Sequence, residues 1–401
     1  MVNIAILGFG VVGSGVAEVI TENLELIEKR INEKLNIKYI LDLRDFPDSP
    51  FGHLVTHDFN EILNDPEVKI VAEMMGGSHP AYDFSVAALK AGKSVVTSNK
   101  EVVARFGAEL LELARENNVR YMFEASVGGG IPIIRPIVND LAANDINSIS
   151  GILNGTTNYI LTQMCECGRD FGDALKDAQA KGYAEADPTA DVEGIDAARK
   201  IVILASLAYG KLIDPDSISR EGISKLSLSD IKIARELGYS VKLIGHCESK
   251  DGKILAMVSP RLIPASNPIH SVDDVFNGIL VDANMLGKSM FYGRGAGKLP
   301  TASAVVADII DIAKSPENDR SFPLVKTASE SDIADISDYS CKNLLVFDAK
   351  ADDKVIGAFN ASEALSKDGK VAFITEDLTE KALNEKLSAL TDKPLSRIRL
   401  I

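Results

Sequence analysis

The chain has 401 residues, of which 46% are apolar, and it carries a formal charge of −15. This length predicts two or three domains with large buried cores. The acidic surplus argues against a nucleic-acid partner, because phosphates require a basic surface. The sequence has no apolar run near the ~20 residues of a membrane-spanning helix and no signal-peptide pattern at its start. We therefore expect a cytoplasmic protein that acts on small molecules and does not associate with membranes.

The first third of the sequence alternates strands with helices. The predicted strands are residues 2–7, 37–41, 68–74, 94–97 and 119–124. Helical periodicity covers residues 12–20 and 81–91. This alternation is typical of a doubly wound parallel sheet. We predict a Rossmann-type α/β domain over residues 1–135, completed by a helix over residues 301–314.

The remaining sequence predicts two α+β domains. The first, over residues 136–300, is built on an open sheet. Its predicted elements are a strand at 146–153, helices between 158 and 208, and strands at 254–258 and 279–281. The second, over residues 325–401, follows a polar, proline-containing linker at 315–320. Its predicted elements are strands at 343–347, 371–374 and 397–401 and a helix at 378–390.

A glycine-rich turn joins the first strand to the first helix in the pattern Gly8-x-Gly10-x-x-Gly13. The first glycine permits a tight turn, the second lets the backbone approach a pyrophosphate, and the third lets the helix pack on the strand. The helix N terminus then offers N–H groups to phosphates. The strand–turn–helix context favours a dinucleotide site over an ordinary turn.

Two charged residues after the second strand bear on which dinucleotide binds. Asp42 is placed to hold a ribose hydroxyl, as in NAD sites, whereas Arg44 is placed to meet the 2′-phosphate of NADP. Solvated loop charges explain the same two residues equally well. The sequence therefore leaves NAD and NADP open.

The segment at 182–200 is the richest in candidate chemical groups. It predicts a loop that runs into a helix, on which Asp196 and Lys200 are four residues apart and share one face. A lysine beside a carboxylate and a cofactor can donate or accept a proton during hydride transfer. The spacing alone, however, favours an ordinary surface salt bridge. Lys100 is better placed, because it follows the strand at 94–97 and ligands of such sheets bind beyond the carboxyl ends of the strands.

Six segments of the sequence, spread between residue 4 and about residue 310, resemble homoserine dehydrogenase and occur in family order. They are Gly8-Phe9-Gly10-Val11-Val12-Gly13, Thr97-Ser98-Asn99-Lys100, residues 123–132, residues 151–160, residues 185–200, and Gly293-Arg294-Gly295-Ala296-Gly297 with residues 300–304. The resemblance implies the NAD(P)-dependent interconversion of L-homoserine and L-aspartate 4-semialdehyde, in threonine, methionine and isoleucine biosynthesis. It also implies a homodimer or higher homo-oligomer, formed through the sheet of the middle domain.

The same resemblance implies a role for each matched residue. Lys200 would donate the proton for carbonyl reduction, with Lys100 at the same reaction centre. Glu185 and Asp196 resemble the substrate-binding carboxylates, with Asp191 as their neighbour. The residues implied to line the cofactor are Gly8, Phe9, Gly10, Val11, Val12, Gly13, Gly76, Lys100 and Gly297.

The resemblance implies two further sites. The residues of a structural site for a monovalent cation such as Na⁺ would be Glu124, Val127, Gly129 and Ile131. A glycine-rich turn that fixes the hinge between domains explains the same loop. Residues 325–401 resemble an ACT domain, a βαββαβ module that binds amino-acid effectors, but the stretch at 348–357 lacks the expected Pro-Gly turn. Effector binding and a degenerate module used for assembly are both compatible with this tail.

Two other classes of protein compete with this interpretation. The phosphorylating dehydrogenase that makes aspartate semialdehyde requires a cysteine nucleophile. None of Cys165, Cys167, Cys247 and Cys341 lies in a recognisable catalytic or zinc-binding pattern. A nucleotide-sensing regulator on the same fold has no reason to keep the lysines and carboxylates together. We therefore expect the enzyme.

Overall fold

The computed structural model describes residues 1–315, 322, 325–348, 353–361, 363–367 and 369–401. Its strands are β1 Val2–Leu7, β2 Leu35–Leu41, β3 Val55–Thr56, β4 Val68–Glu73, β5 Ser94–Thr97, β6 Tyr121–Met122, β7 Ile146–Ile152, β8 Lys211–Leu212, β9 Ser219–Arg220, β10 Tyr239–Lys250, β11 Lys253–Pro264, β12 Phe276–Ala283, β13 Gly287–Arg294, β14 Lys326–Thr327, β15 Ser340–Cys341, β16 Asn343–Asp348, β17 Glu363–Lys367, β18 Lys370–Ile374, β19 Leu378–Thr379 and β20 Ser396–Leu400. Its α-helices are α1 Val11–Glu22, α2 Leu24–Ile31, α3 Phe59–Asn64, α4 Ala81–Lys90, α5 Lys100–Glu116, α6 Gly155–Cys167, α7 Phe171–Ala180, α8 Thr189–Val192, α9 Ile195–Tyr209, α10 Leu228–Glu236, α11 Lys298–Lys314, α12 Asp353–Ala358 and α13 Glu380–Ala389.

The chain forms two compact units, of which the first comprises residues 1–145, 202–215 and 293–328. In the described residues its main sheet has six parallel strands in the order β3-β2-β1-β4-β5-β6. All six residues of β1 are buried, as expected for a strand covered on both faces. Helices α1 and α11 contribute apolar side chains to the same core as β1. The predicted doubly wound parallel sheet is confirmed.

The second unit comprises residues 146–201, 216–292 and 329–401. Its mixed sheet runs in the order β13-β12-β7-β10-β11-β20-β16-β18-β17, and β9 pairs with β11. The predicted strands at 254–258 and 279–281 are parts of the longer β11 and β12. Strand β10 was not predicted, although it pairs with β11 along its whole length. Residues 241–247 of β10 are all buried, so the apolar–polar alternation that marks a half-exposed strand is absent.

The tail of the chain adds four strands to this sheet. Its elements follow the order β16-α12-β17-β18-α13-β20, and the four strands lie in the antiparallel order β20-β16-β18-β17. Leu345, Phe347, Phe359, Phe373 and Leu383 form its core. The proposed linker residues 316–320, and residues 349–352 of the stretch without a Pro-Gly turn, lie outside the described residues. The ACT-like character of the tail stays a prediction, and so do the boundaries of the three predicted domains.

Among the described residues, no helix is both long and apolar enough to cross a membrane. Within the part of the chain that the structure describes, the four cysteines form no disulfide, and Cys247 and Cys341 are buried.

Candidate active site

The glycine-rich turn lies at the carboxyl end of β1 and leads into α1. Gly8 has a φ of +89°, a conformation that residues with side chains rarely adopt, and its amide donates to the Leu41 carbonyl of the neighbouring strand. A Cβ atom at Gly13 would lie 2.0 Å from the carbonyl oxygen of Gly8. Glycine is therefore required at both positions, at the first for the turn and at the second for the close approach of helix to strand.

The N terminus of α1 is suited to an anion. Gly10 is the N-cap residue and supplies no side-chain hydrogen bond, and the first turn carries no acidic residue. A Cβ atom built at Gly10 meets no described atom within 4 Å. Val11 is exposed at this helix start, whereas Phe9 and Val12 pack against the core. The first-turn N–H groups are thus open to a pyrophosphate, so these residues fit a dinucleotide.

Asp42 and Arg44 form one network with this turn. The Asp42 carboxylate accepts a hydrogen bond from the Phe9 amide (2.8 Å) and pairs with the Arg44 guanidinium (3.0 Å). The Arg44 guanidinium, helped by the Phe9 amide, lowers the pKa of Asp42 to about 2. The side chain of Asp42 is 9% exposed and that of Arg44 is 65% exposed. Arg44 is therefore a solvated loop charge, whereas Asp42 is not.

Lys100 begins α5 at the same edge of the sheet. The side chain of its neighbour Asn99 caps α5 by accepting hydrogen bonds from two backbone amides of the first turn. The same side chain donates hydrogen bonds to the carbonyls of Met75 (3.3 Å) and Gly77 (2.8 Å). Asn99 thus ties the start of α5 to the loop that carries Gly76. Strands β1, β4 and β5 are parallel neighbours, and their last residues Leu7, Glu73 and Thr97 pair side by side. Lys100 and Gly76 therefore lie at the edge where the glycine turn also lies.

Glu73 is a buried carboxyl group at this edge that the sequence analysis did not single out. It is the last residue of β4 and accepts hydrogen bonds from the Thr97 hydroxyl (2.7 Å) and the Met75 amide (2.6 Å). Burial raises the pKa of Glu73 to about 7. Glu73 therefore holds together the two chain segments that leave β4 and β5. The sequence signal was a carboxylate that directly follows the apolar run Ile70-Val71-Ala72.

Gly297 lies immediately before α11, which packs closely on α1. A Cβ atom at Gly15 of α1 would lie 2.9 Å from the Lys298 carbonyl oxygen. The Lys298 ammonium also pairs with Glu18 of α1 (2.6 Å). These contacts hold Gly297 beside α1.

Glu124 is almost completely buried, and its carboxylate is engaged by the backbone. It accepts hydrogen bonds from the amides of Ile133 (2.7 Å), Ile134 (2.9 Å) and Arg135 (2.8 Å). Its own amide donates to Asp308 (2.9 Å). Burial raises the pKa of Asp308 to about 8, although the positive charge of Arg135 acts in the opposite direction. The strand predicted over residues 119–124 is consequently shorter, and Glu124 begins a 3₁₀ turn instead.

This loop offers a cation mainly its backbone oxygens. In the described part of the chain, no group of His, Cys, Asp and Glu side chains is arranged to hold a metal ion. The Glu124 carboxylate already accepts three amides, so a monovalent cation here would rely on carbonyl oxygens. Gly129 has a φ of +55°, and a Cβ atom there would lie 2.5 Å from the Gly295 carbonyl oxygen. The turn therefore packs tightly, as the alternative of a glycine-rich hinge also requires.

A second cluster, in the second unit, joins Lys200 to two carboxylates. The Lys200 ammonium donates to Asp196 (2.9 Å) and to the Leu153 carbonyl (2.8 Å). Asn154, the N-cap of α6, donates to Asp191 (2.7 Å) and to Asp196 (2.9 Å). The side chains of Lys200 and Asp196 are only 9% and 6% exposed. The ordinary surface salt bridge that the spacing alone favoured is therefore wrong.

The burial of this pair defines what it can do chemically. Asp196 lies in the first turn of α9, where the helix N terminus favours a carboxylate. Two charges in a region of low dielectric interact more strongly than in water. Asp196 thus balances the charge of the Lys200 ammonium, a group that can supply a proton to a developing oxyanion. Asn154, to which the sequence analysis gave no role, connects this pair to Asp191.

Glu185 lies outside the hydrogen bonds of this cluster. It is exposed, in the loop between α7 and α8, and its backbone carbonyl accepts a hydrogen bond from the Gln179 side chain (3.0 Å). The Thr156 hydroxyl donates to the Tyr183 carbonyl (2.6 Å). This bond attaches the loop to the first turn of α6, which Asn154 caps.

The chain combines a parallel sheet, a glycine turn that leads into an open helix N terminus, and a buried lysine–carboxylate pair. These features define an NAD(P)-dependent oxidoreductase. Two family models match the chain. One is described as homoserine dehydrogenase, NAD binding domain, and matches residues 8–124; the other is described as homoserine dehydrogenase and matches residues 132–310. The chain belongs to the homoserine dehydrogenase family, as the six motifs predicted, and its cofactor is NAD or NADP.

Named relatives and solved structures agree with this family. The homoserine dehydrogenase of Neisseria gonorrhoeae is 40% identical, over 100% of this chain and 98% of its own length. The crystal structure of a homoserine dehydrogenase from Thiobacillus denitrificans matches with a TM-score of 0.91 and 34% identity, over 100% of this chain and 98% of that chain. A hyperthermophilic archaeal homoserine dehydrogenase mutant, solved in complex with NADPH, matches with a TM-score of 0.66 and 31% identity, over 77% of this chain and 97% of that chain.

Proposed function

We propose that this protein interconverts L-homoserine and L-aspartate 4-semialdehyde, with Lys200 as the residue that donates and accepts the proton. The observation that carries the proposal is the buried pair of Lys200 and Asp196, whose Nζ and Oδ2 atoms are 2.9 Å apart. Membership of the homoserine dehydrogenase family supplies the substrate class. In this pair, the Lys200 ammonium is the proton donor for the carbonyl oxygen, which gains negative charge during reduction.

The reaction needs one proton transfer by the protein. In reduction, nicotinamide supplies a hydride to the aldehyde carbon when the reduced cofactor is bound. Lys200 donates a proton from Nζ to the oxygen that becomes the hydroxyl, so its negative charge is neutralised as it develops. Asp196 and the Leu153 carbonyl fix the direction of Nζ. In oxidation, neutral Lys200 accepts the hydroxyl proton.

Carboxylates complete the proposed substrate site. The ammonium group of an amino acid is recognised by carboxylate oxygens through charge-assisted hydrogen bonds. Glu185 is proposed to bind this ammonium, Asp196 to orient the substrate and Lys200, and Asp191 to act as their neighbour. The exposure of Glu185 and the bond from Asn154 to Asp191 support these roles. Lys100 is assigned to the same reaction centre by the resemblance.

The cofactor is proposed to place its pyrophosphate at the N terminus of α1. The proposed lining residues are Gly8, Phe9, Gly10, Val11, Val12, Gly13, Gly76, Lys100 and Gly297. A structural monovalent cation such as Na⁺ is proposed on oxygens of Glu124, Val127, Gly129 and Ile131. Carbonyl oxygens suit such a hard cation, and the engaged Glu124 carboxylate leaves the backbone as its main source of ligands.

Assembly, location and regulation complete the proposal. The resemblance supports a homodimer or higher homo-oligomer, and the sequence supports a cytoplasmic location. The βαββαβ order of the tail supports an ACT-like domain over residues 325–401. Effector binding and assembly are both compatible with it.

The test is absorbance at the reduced-nicotinamide band, with purified protein, L-homoserine, and NAD or NADP in parallel. We expect a rise that disappears in Lys200→Ala while cofactor binding, measured by fluorescence titration, stays unchanged. Lys176→Ala, which removes an exposed lysine of α7 (80% exposed side chain), is the matched control and should retain full activity. Absence of any rise from folded protein that binds cofactor would overturn the proposal.

A further inference from the structure

A series of hydrogen bonds begins at the buried carboxyl group of Glu73 and ends in the loop that carries Gly76. Oε2 of Glu73 accepts a hydrogen bond from the Thr97 hydroxyl (2.7 Å), and Oε1 accepts one from the Met75 amide (2.6 Å). The Thr97 hydroxyl oxygen in turn accepts a hydrogen bond from the Asn99 amide (2.8 Å). The Asn99 side chain then donates to the Met75 carbonyl (3.3 Å). One carboxyl group therefore joins the segments that follow β4 and β5.

The members of this network are shielded from water. Glu73 and Thr97 are completely buried, and Asn99 is nearly so. The nearby Tyr121 hydroxyl is also buried, without a hydrogen-bond partner among the described residues, and burial and the charge of Glu73 raise its pKa. Water therefore has little access to replace a hydrogen bond that is lost here, so the geometry of the network depends on these side chains.

An ionisable group is an unfavourable choice for such a position. Burial raises the pKa of Glu73 to about 7, so its ionisation costs stability at alkaline pH. A glutamine has nearly the same shape and would avoid this cost. The two side chains differ in their hydrogen bonds, because a carboxylate accepts at both oxygens, whereas an amide accepts at one and donates at the other. Both oxygens of Glu73 act as acceptors here.

The two segments that Glu73 joins carry residues assigned above to the cofactor and to the reaction centre. Gly76 directly follows Met75, and Lys100 directly follows Asn99. Asn99 also caps α5 with its side chain, so its position fixes where the helix of Lys100 begins. A misplacement of about 1 Å in an active site can lower the rate by about 10²-fold. The double acceptor at Glu73 therefore has a function to serve in turnover that the fold alone does not require.

We propose that Glu73 is a positioning residue for the reaction, whose two carboxylate oxygens hold the Gly76 loop and the helix start at Lys100 in the arrangement that hydride transfer requires. Glu73 acts through the Thr97 hydroxyl and the Met75 amide, without contact to the reacting atoms. The inference rests on the proposed function, because Gly76 and Lys100 receive their roles there.

The experiment uses two substitutions that keep the shape of the side chain. Glu73→Gln replaces one accepting oxygen by an NH₂ group, and Thr97→Val removes the hydroxyl that Glu73 holds. We expect each to lower kcat for L-homoserine oxidation by about 10–10²-fold. The Kd of NADH should rise by less than about threefold, because the glycine turn and the N terminus of α1 are unchanged.

A conservative variant and a control complete the kinetic series. Thr97→Ser restores the hydroxyl and should recover most of the kcat that Thr97→Val loses. Ser85→Ala removes another completely buried hydroxyl of the same unit, which donates to the Ala81 carbonyl (2.8 Å), and should keep the wild-type kcat. If Glu73→Gln does not fold, the two Thr97 variants still test the network.

A second measurement needs no substrate and therefore separates this proposal from the proposed function. The fluorescence of bound NADH reports the surroundings of its nicotinamide ring, and we expect its emission to change in Glu73→Gln and Thr97→Val but not in Ser85→Ala. If the wild type does not oxidise L-homoserine, the proposed function fails, while the emission still tests the role of Glu73. The positioning role is overturned if the emission and kcat of both variants equal those of the wild type. It is also overturned if Thr97→Ser recovers nothing, or if kcat falls only in proportion to the folded fraction measured by urea unfolding.

Discussion

Lys200 and Asp196 form a buried ion pair one helical turn apart on α9, with Nζ 2.9 Å from Oδ2. The same Oδ2 atom accepts a hydrogen bond from Asn154. One carboxylate oxygen therefore balances the charge of the lysine and holds the cap of the neighbouring helix. The direction in which Lys200 can deliver a proton depends on this oxygen.

Asp196→Asn is expected to lower kcat for L-homoserine oxidation by about 10²–10⁴, the usual contribution of a positioned acid or base. It removes the charge that balances a buried ammonium, so the variant should also lose about 3–5 kcal/mol of stability. Steady-state kinetics and denaturant unfolding measure the two effects. The cofactor Kd serves as control and should not change, because the glycine turn belongs to the other unit. A variant with nearly wild-type kcat would contradict the proposed role of the pair.

Two substitutions at Asn154 separate helix capping from active-site positioning. The Asn154 side chain accepts the Thr157 amide (2.9 Å) as N-cap and donates to Asp191 and Asp196. Asn154→Asp keeps the cap but places a third carboxylate beside two others, whereas Asn154→Ala removes the cap, at a cost of about 1 kcal/mol. We expect the larger loss of kcat/KM in Asn154→Asp. If activity instead follows helix stability, so that Asn154→Ala is the less active, Asn154 acts only as a cap.

Arg44→Ala is expected to weaken NADP binding at least tenfold more than NAD binding. Asp42 stays ionised at neutral pH in this variant, because even without Arg44 an aspartate has an ordinary pKa far below 7. Without the guanidinium at 3.0 Å, this negative charge remains close to the glycine turn and repels a 2′-phosphate. Fluorescence titrations with the two reduced cofactors give the ratio of Kd values. Equal weakening of both would show that Arg44 does not contact the 2′-phosphate region.

Glu73→Gln is expected to change how stability depends on pH. Burial raises the pKa of Glu73 from 4.5 to about 7 in the folded protein. The protonated form therefore stabilises the fold fully below about pH 4.5, and this contribution is lost as pH rises through about 7. The loss amounts to about 3 kcal/mol at alkaline pH. The glutamine variant does not undergo this loss of stability, because a glutamine side chain does not ionise.

The free energies of unfolding of wild type and Glu73→Gln should thus differ little at pH 5, and the difference should move in favour of the glutamine by pH 8. Urea unfolding at pH values from 5 to 8 measures this trend. A difference that is the same at all pH values would mean that Glu73 titrates at its ordinary pKa. Glu67→Gln, which changes an exposed carboxylate (68% exposed side chain), is the control and should show no such trend.

The sequence by itself determined the features that depend on neighbouring residues. The turn from Gly8 to Gly13 could be predicted because each glycine meets a local steric requirement. In the structure, a Cβ atom at Gly13 would lie 2.0 Å from the carbonyl oxygen of Gly8. The alternation of strands and helices was readable because apolar periodicity reports which face of an element is buried. The six motifs indicated the family because residue identities alone carry them.

Only the tertiary structure decided which charged side chains are buried and with what partners. The four-residue spacing of Asp196 and Lys200 is the same on an exposed helix and a buried one. The difference comes from Leu153 and Asn154, more than 40 residues away in the chain. Glu124 became a buried acceptor of backbone hydrogen bonds for the same reason. Burial and partner choice depend on contacts between distant segments, because charge energies are set by the dielectric and the groups around them rather than by sequence spacing.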